Sequence, residues 1–103
     1  MNRYLVEVPH DEEMLACSRV VQTFLQTGSH YLTHADWGCK DGNHSAWMIV
    51  EAADREEARW AVPVPFRAQT RVVRLNRFSV QEADEMVESH GVRDSLASSA
   101  GAP

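Results

Sequence analysis

The sequence predicts an α+β fold with the element order β-α-β-β-α-β and a further helix at the end. Three observations support this prediction. Runs rich in β-branched and aromatic residues alternate with stretches in which apolar residues recur at helical spacing. An Asp-Gly pair separates the second and third runs, as in a β-hairpin. The chain has 103 residues, 44% of them apolar, which is enough for one domain with its own core.

The first strand is expected over residues 3–8, and Pro9 ends it. Asp11 is placed to cap the first helix, and Gly28 is placed to end it. Apolar side chains recur through this helix at a spacing that predicts one buried face. They are Met14, Cys17, Val20, Val21, Phe24 and Leu25.

A β-hairpin is expected from residues 30–37 and 44–52. Asp41 and Gly42 lie between these runs, and Asp-Gly is a strong signal for a two-residue type I′ turn. In that register, side chains alternate between the two faces of the sheet. A second helix begins after Asp54 and stops at the prolines that follow.

The last strand is expected over residues 70–78, with Val73 and Leu75 assigned to the core. A third helix is predicted over 80–89. Small and polar residues dominate the end of the chain. The chain is therefore divided into a domain of residues 1–91 and a flexible C-terminal tail of residues 92–103.

This order of elements is that of a ferredoxin-like fold, a four-stranded antiparallel sheet with two helices on one face. The helix-free face would leave a broad apolar area in water, which soluble proteins avoid. A second copy of the chain is the simplest cover, so we expect a homodimer packed sheet to sheet as a dimeric α+β barrel. The apolar residues expected on that face are Leu5, Leu32, Trp47, Ile49 and Val72.

Charge and composition exclude several classes of protein. The formal net charge is −5, which argues against a nucleic-acid partner or an anionic membrane surface. No apolar run approaches the roughly 20 residues of a membrane span, and the N-terminus lacks the pattern of a secretory signal. Two cysteines are too few for a disulfide framework. We expect a cytoplasmic protein.

Alternation along the strands also places polar residues on the helix-free face, where they can line a small-molecule pocket. The candidate ligand-binding residues are Glu7, Trp47, Glu51 and Arg74. The alternative is purely structural. Glu7 and Arg74 can form an ion pair, and Trp47 can anchor a subunit interface.

His30, His34 and Asp36 supply three potential metal ligands along one predicted strand. Residues two apart on a strand lie roughly 6.6 Å from each other, so His34 and Asp36 can share one ion. Imidazole and carboxylate ligands suit divalent transition metals, such as nickel or zinc. Strand histidines at this spacing also occur as hydrogen-bonded structural residues, so both interpretations stay open.

The cysteines give weaker signals. Cys39 is expected opposite His44, and a neighbouring imidazolium can lower the pKa of a thiol. That pair shows no third partner in the sequence. Cys17 is interpreted as a packing residue of the first helix, and His10 as an exposed residue near its start.

The segment Trp47-Met-Ile-Val-Glu51-Ala-Ala-Asp54-Arg-Glu-Glu57-Ala58 resembles the strand-to-helix junction of small bacterial dimeric α+β barrel proteins. These include muconolactone-isomerase-like proteins and a nickel-binding, ferredoxin-like family of unknown function. The resemblance spans about residues 3–78. It implies the fold, a dimer and a metal, and it points to His34 as the first candidate ligand.

Two classes of function remain. The first is a non-enzymatic module that binds a metal ion or small ligand on the helix-free sheet face. The second is a small enzyme of the isomerase or monooxygenase type, with His34 as the acid/base group because histidine titrates near neutral pH. In that enzyme, Asp36 or Glu7 would orient His34. Arg74 would hold an anionic substrate, and Trp47 would stack on it.

Overall fold

A computed structural model describes the backbone of residues 1–97 and the side chains of residues 1–91. The strands are β1 (Asn2–Pro9), β2 (Asp36–Trp37), β3 (Ser45–Ala52) and β4 (Arg71–Leu75). The helices are α1 (Met14–Gln26), α2 (His30–Thr33), α3 (Arg55–Arg59) and α4 (Val80–Ala97). Two short 3-10 turns cover Cys39–Asp41 and Val64–Phe66.

The four strands form one antiparallel sheet in the order β2-β3-β1-β4. β1 and β3 pair along their whole lengths, from Asn2 opposite Ala52 to Pro9 opposite Ser45. This confirms the predicted α+β class and the four-stranded antiparallel sheet.

Helices α1 and α3 cover one face of the sheet and enclose the core. Alternation along β1 and β3 is confirmed, since the side chains predicted to face the helices are buried. These are Tyr4, Val6, Val8, Ala46, Met48, Val50 and Ala52. Phe24 of α1 is fully buried and meets the Trp37 ring edge to face, with ring centroids 5.0 Å apart.

The prediction of a strand over residues 30–37 is wrong for its first half. His30–Thr33 form the short helix α2, and Leu32 lies in the core at 3% exposure rather than on the helix-free face. The Thr33 hydroxyl donates to the Ser29 carbonyl oxygen at 2.9 Å. Local hydrogen bonding and burial of Leu32 therefore outweigh the strand propensity of this segment.

The predicted hairpin register is confirmed, but the predicted two-residue turn is wrong. Asp36 pairs with Trp47, and Trp37 pairs with Ala46. A type I′ turn needs positive φ at both Asp41 and Gly42, and only Gly42 has it, at 84°. The last hydrogen bond before the connection instead runs from the Gly38 amide to the Ser45 carbonyl oxygen, so the connection between β2 and β3 is longer than two residues.

The predicted faces of the last strand are reversed. Val72 pairs with Val6 and is buried, whereas Val73 is 52% exposed on the helix-free face. Arg74 pairs with Tyr4 on the helix side and donates to the Asn2 side-chain oxygen at 3.1 Å, so it does not lie on the helix-free face. Adjacent apolar residues leave the register ambiguous, and a shift of one residue moves every side chain to the opposite face.

Helix α1 has the predicted buried face at Cys17, Val20 and Phe24, but Met14 and Leu25 are exposed. The cap is Glu13, whose carboxylate accepts from the amides of Leu15 and Ala16. The predicted cap, Asp11, instead accepts from the Glu13 amide. Gly28 follows the helix end with a φ of 74°, as predicted.

Helix α4 continues through Gly91 to Ala97, beyond the predicted end at residue 89. It crosses the expected boundary between the domain and the tail, and residues 98–103 lie outside the described part of the chain. Glycine costs an exposed helix only about 1 kcal/mol relative to alanine, so one glycine does not end it. Within residues 1–97, no helix is both long enough and apolar enough to cross a membrane.

Candidate metal centre

One end of the sheet brings two histidines together. Pro9, the last residue of β1, pairs with Ser45, the first residue of β3. The next residue outward on each strand is a histidine, and the His10 amide donates to the His44 carbonyl oxygen at 3.0 Å. Antiparallel pairing of β1 with β3 therefore places His10 beside His44, although 33 residues separate them in the sequence.

Two cysteines reach the same point from other elements. Cys17 lies on the buried face of α1, and Cys39 opens the 3-10 turn after β2. His10 Nε2 is 3.3 Å from Cys17 Sγ and 3.2 Å from Cys39 Sγ. One potential ligand atom from each of these four residues lies within 4.8 Å of all the others. We call this group the His2Cys2 cluster.

The backbone fixes the orientation of the His10 ring. His10 Nδ1 lies 3.5 Å from the Val8 carbonyl oxygen, which can only accept a hydrogen bond. With the ring proton on Nδ1, the lone pair of Nε2 points between the two sulfur atoms. Metal-ligating histidines commonly use a backbone carbonyl in this way to orient the ring.

His44 carries an unsatisfied polar atom. Its Nδ1 is buried and has no hydrogen-bond partner. The His44 ring stands perpendicular to the His10 ring, with centroids 5.7 Å apart. A buried nitrogen without a partner is costly, and a metal ion or an ordered water would relieve that cost.

Burial shifts two of the four groups toward their neutral forms. It lowers the pKa of His10 below its ordinary value of 6.5, and the nearby His44 adds to this effect. The Val8 carbonyl and Asp11 oppose the shift. Burial also raises the pKa of the Cys17 thiol, helped by Cys39. Both shifts express the cost of burying a charged group, the imidazolium of His10 in one case and the thiolate of Cys17 in the other.

The cluster fits a tetrahedral transition-metal ion. An ion with bonds of about 2.0–2.3 Å to nitrogen and sulfur holds its ligand atoms roughly 3.3–3.8 Å apart. The two measured contacts of 3.2 and 3.3 Å, and the 4.8 Å limit on the rest, need only small side-chain movements to reach that geometry. The cluster can therefore hold a metal ion.

The loop that carries Cys39 is closely packed at its base. A Cβ atom on Gly38 would lie 2.6 Å from the Asn43 carbonyl oxygen and 2.7 Å from the Trp47 ring. Only glycine fits there. Beyond this point the loop is open to solvent, and a cavity of about 580 Å³ lined by Glu12, Lys40 and the two cysteines reaches the cluster.

The histidines predicted as ligands lie elsewhere. The ring of His30, the first residue of α2, and the tilted ring of His34, which directly follows α2, have centroids 4.4 Å apart. His34 Nδ1 is 2.8 Å from the His30 carbonyl oxygen. His34, Asp36 and Trp47 line a separate cavity of about 300 Å³ on the helix-free face. Among residues 1–91, whose side chains the structure describes, a close set of three or more potential ligand atoms forms around His10 and not around His34. The roles proposed for His34 and Asp36 stay predictions.

Two of the other predicted ligand-binding residues, Glu7 and Trp47, contact each other. Glu7 accepts a hydrogen bond from Trp47 Nε1 at 2.9 Å and forms an ion pair with Arg71 at 3.1 Å. The predicted partner of Glu7 was Arg74, which lies on the opposite face, so that pairing is wrong. Glu51 is exposed on the helix-free face.

The sequence interpretation missed two members of the cluster. It treated His10 as exposed and Cys17 as a packing residue only, whereas His10 is partly buried against Trp37 and both residues join the cluster. The expected proximity of Cys39 and His44 is confirmed. Their Cys-x4-His spacing was the available signal, but the remaining pair depends on how β1 and α1 pack.

The chain has no significant match among protein-family models, curated proteins or solved structures. We therefore infer its function from the His2Cys2 cluster itself.

Proposed function

We propose that this protein binds one zinc ion through His10, Cys17, Cys39 and His44. The observation that carries the proposal is the convergence of four ligand atoms from four separate segments within 4.8 Å. Two imidazoles and two thiols form one of the standard tetrahedral zinc ligand sets. His44 also has a buried Nδ1 without a hydrogen-bond partner, a cost that a metal ion or an ordered water at this nitrogen would relieve.

Of the two metals named from the sequence, nickel and zinc, the ligand chemistry favours zinc. Thiolate and imidazole together in a tetrahedral set suit zinc, whereas divalent nickel prefers square-planar sites with nitrogen and oxygen ligands. Four protein ligands fill the coordination sphere, which is the pattern of a structural zinc site. The ion would join α1, the β2–β3 connection and the paired ends of β1 and β3.

Zinc and cobalt titration of the full-length, metal-free protein tests the proposal. We expect one zinc ion per chain and, with Co²⁺, the visible absorption bands of a tetrahedral cobalt–thiolate site. Cys39→Ser and His44→Ala should each weaken zinc binding at least about 10-fold, since each removes a ligand. Uptake without thiolate-to-cobalt bands would contradict the assignment.

His34→Ala is the matched control, because it removes a histidine that lies outside the cluster. We expect it to bind zinc as the wild-type protein does. If His34→Ala loses the metal while Cys39→Ser retains it, the site lies on α2 and the proposal fails. That result would favour the ligand set His30, His34 and Asp36.

We also propose that the chain is a ferredoxin-like homodimer joined through its helix-free face. The strand order β2-β3-β1-β4 and the placement of α1 and α3 on one face support the fold assignment. The helix-free face carries apolar side chains that a second copy can cover. They are Leu5, Trp47, Ile49, Val73 and Leu75. A cytoplasmic location fits the zinc proposal, because the reducing conditions of the cytoplasm keep cysteine thiols free to bind zinc.

A further inference from the structure

We propose that Cys17 and Cys39 also form a reversible intramolecular disulfide, and that this disulfide and the metal exclude each other. The competition with metal rests on the zinc centre proposed above, whereas the disulfide does not. Both sulfur atoms contact the same imidazole nitrogen, at 3.3 and 3.2 Å. The two thiols therefore point to one place, and their separation is at most 4.8 Å.

The two cysteines differ in access. Cys17 is buried on α1, at 9% exposure. Cys39 is partly exposed and lines two cavities, of about 580 and 370 Å³. An oxidant in solution therefore meets Cys39 first, and Cys17 is placed to react with the product.

The sulfur atoms must approach to about 2.05 Å to bond, and the movement falls on the Cys39 side. Cys17 is held in a regular helix. Cys39 is the first residue of a short turn. The four residues after it, from Lys40 to Asn43, are exposed. Rotation of the Cys39 side chain with a small shift of this loop closes the gap without moving the core.

Hydrogen peroxide serves as the oxidant. The Cys39 thiolate attacks one peroxide oxygen, so that an S–O bond forms, the O–O bond breaks and hydroxide leaves. The Cys17 sulfur then attacks the resulting sulfenic acid. The S–S bond forms, the S–O bond breaks, and the leaving hydroxide takes the Cys17 proton as water. Overall, two thiols and one peroxide give one disulfide and two waters, and a dithiol reductant reverses the change.

A metal ion and the disulfide cannot occupy the site together. Zinc is bound by negatively charged thiolates. Oxidation to the disulfide removes that negative charge from two of the four ligands. Two imidazoles alone bind zinc weakly. Oxidation is therefore expected to release the ion, and bound zinc is expected to slow the oxidation.

Peroxide treatment of the full-length, metal-free protein tests the inference by thiol titration, intact mass and peptide mapping. We expect loss of both thiols, loss of two hydrogen atoms, and a linked peptide pair containing residues 17 and 39. A dithiol should restore both thiols and zinc binding. Cys17→Ser should stop at the sulfenic acid on Cys39, and Cys39→Ser should leave the buried Cys17 largely unreacted.

Two results would overturn the inference. The first is stepwise oxidation of Cys39 to sulfinic acid in the wild-type protein without an intramolecular link. The second is zinc binding by the disulfide form as tight as by the reduced form. If the disulfide forms but the reduced protein binds no zinc, the thiol pair is supported and the zinc centre is refuted, so the two failures are distinct.

Discussion

Among single residues, His10 does most to define the cluster. Its Nε2 contacts both sulfurs, and its Nδ1 lies 3.5 Å from the Val8 carbonyl oxygen, an acceptor that favours the tautomer with the proton on Nδ1. Cys17 and His44 add a buried thiol and an unpartnered nitrogen. In the metal-free protein, burial lowers the pKa of His10 and raises the pKa of Cys17, so it favours the neutral form of both groups.

The metal-free protein is expected to lose stability as the pH falls. Burial lowers the pKa of His10 below 6.5, so the unfolded chain takes up this proton at a higher pH than the folded protein does. The contribution is full above pH 6.5 and is lost as the pH falls through that value toward the lowered pKa. Urea unfolding between about pH 8 and 5, with a chelator present, measures the effect.

His10→Gln should flatten this pH dependence, because it removes the titrating group. His90→Gln, on the exposed helix α4, is the control and should keep the wild-type dependence. Equal pH dependence in wild-type and His10→Gln proteins would show that His10 does not cause it.

At the scale of elements, the β2–β3 connection is the segment that the cluster depends on most. It carries Cys39 and His44, and its base is packed against Trp47 through Gly38. The connection is longer than a tight hairpin turn, which moves Cys39 out of the strand ladder and toward α1.

Gly38→Ala is expected to lower the free energy of unfolding by about 1–3 kcal/mol, the usual cost of overpacking. The added Cβ would meet the Trp47 ring at 2.7 Å and the Asn43 carbonyl oxygen at 2.6 Å. The variant should also bind zinc more weakly, because the shifted loop displaces Cys39.

Gly91→Ala is the matched control, since nothing lies within 4 Å of a Cβ at that position. It should increase helicity slightly and leave zinc binding unchanged. Chemical unfolding and zinc titration of both variants make the comparison. Wild-type stability and affinity in Gly38→Ala would mean that the loop is not packed as described.

At the scale of the whole molecule, the two faces of the sheet differ. One face is covered by α1 and α3, and the other exposes Ile49 at 46% and Val73 at 52% beside the Glu7–Arg71 ion pair. α4 extends from the sheet with its side chains exposed through residue 91, which gives the described chain a long axis of 55 Å.

If the proposed homodimer forms, Ile49→Lys and Val73→Lys are each expected to convert it into a monomer, because a lysine ammonium group would be buried at the proposed interface. Leu25→Lys is the control, since Leu25 is similarly exposed, at 52%, but lies on α1. Sedimentation velocity at micromolar concentration distinguishes the 11.6 kDa chain from its dimer. A wild-type monomer would refute the dimer and leave the zinc proposal unaffected.

The sequence by itself determined the fold class, most element positions and the faces of β1 and β3. In β1 the charged Arg3 and Glu7 alternate with Tyr4, Val6 and Val8, which assigns the latter three to the buried face. The helical spacing around Phe24 likewise determined the buried face of α1. These features follow from the local spacing of apolar residues, because that spacing determines which face of a strand or helix is buried.

Only the tertiary structure decided the rest. In β4, the adjacent Val72 and Val73 fit either face, and pairing with β1 made the choice. Residues 30–33 became a helix because Leu32 enters the core. The His2Cys2 cluster requires the β1–β3 register, the packing of α1 and the course of a loop all at once. Its members lie up to 34 residues apart in the sequence. Cys39 and His44 are close in the chain, but only long-range packing brings His10 and Cys17 to them.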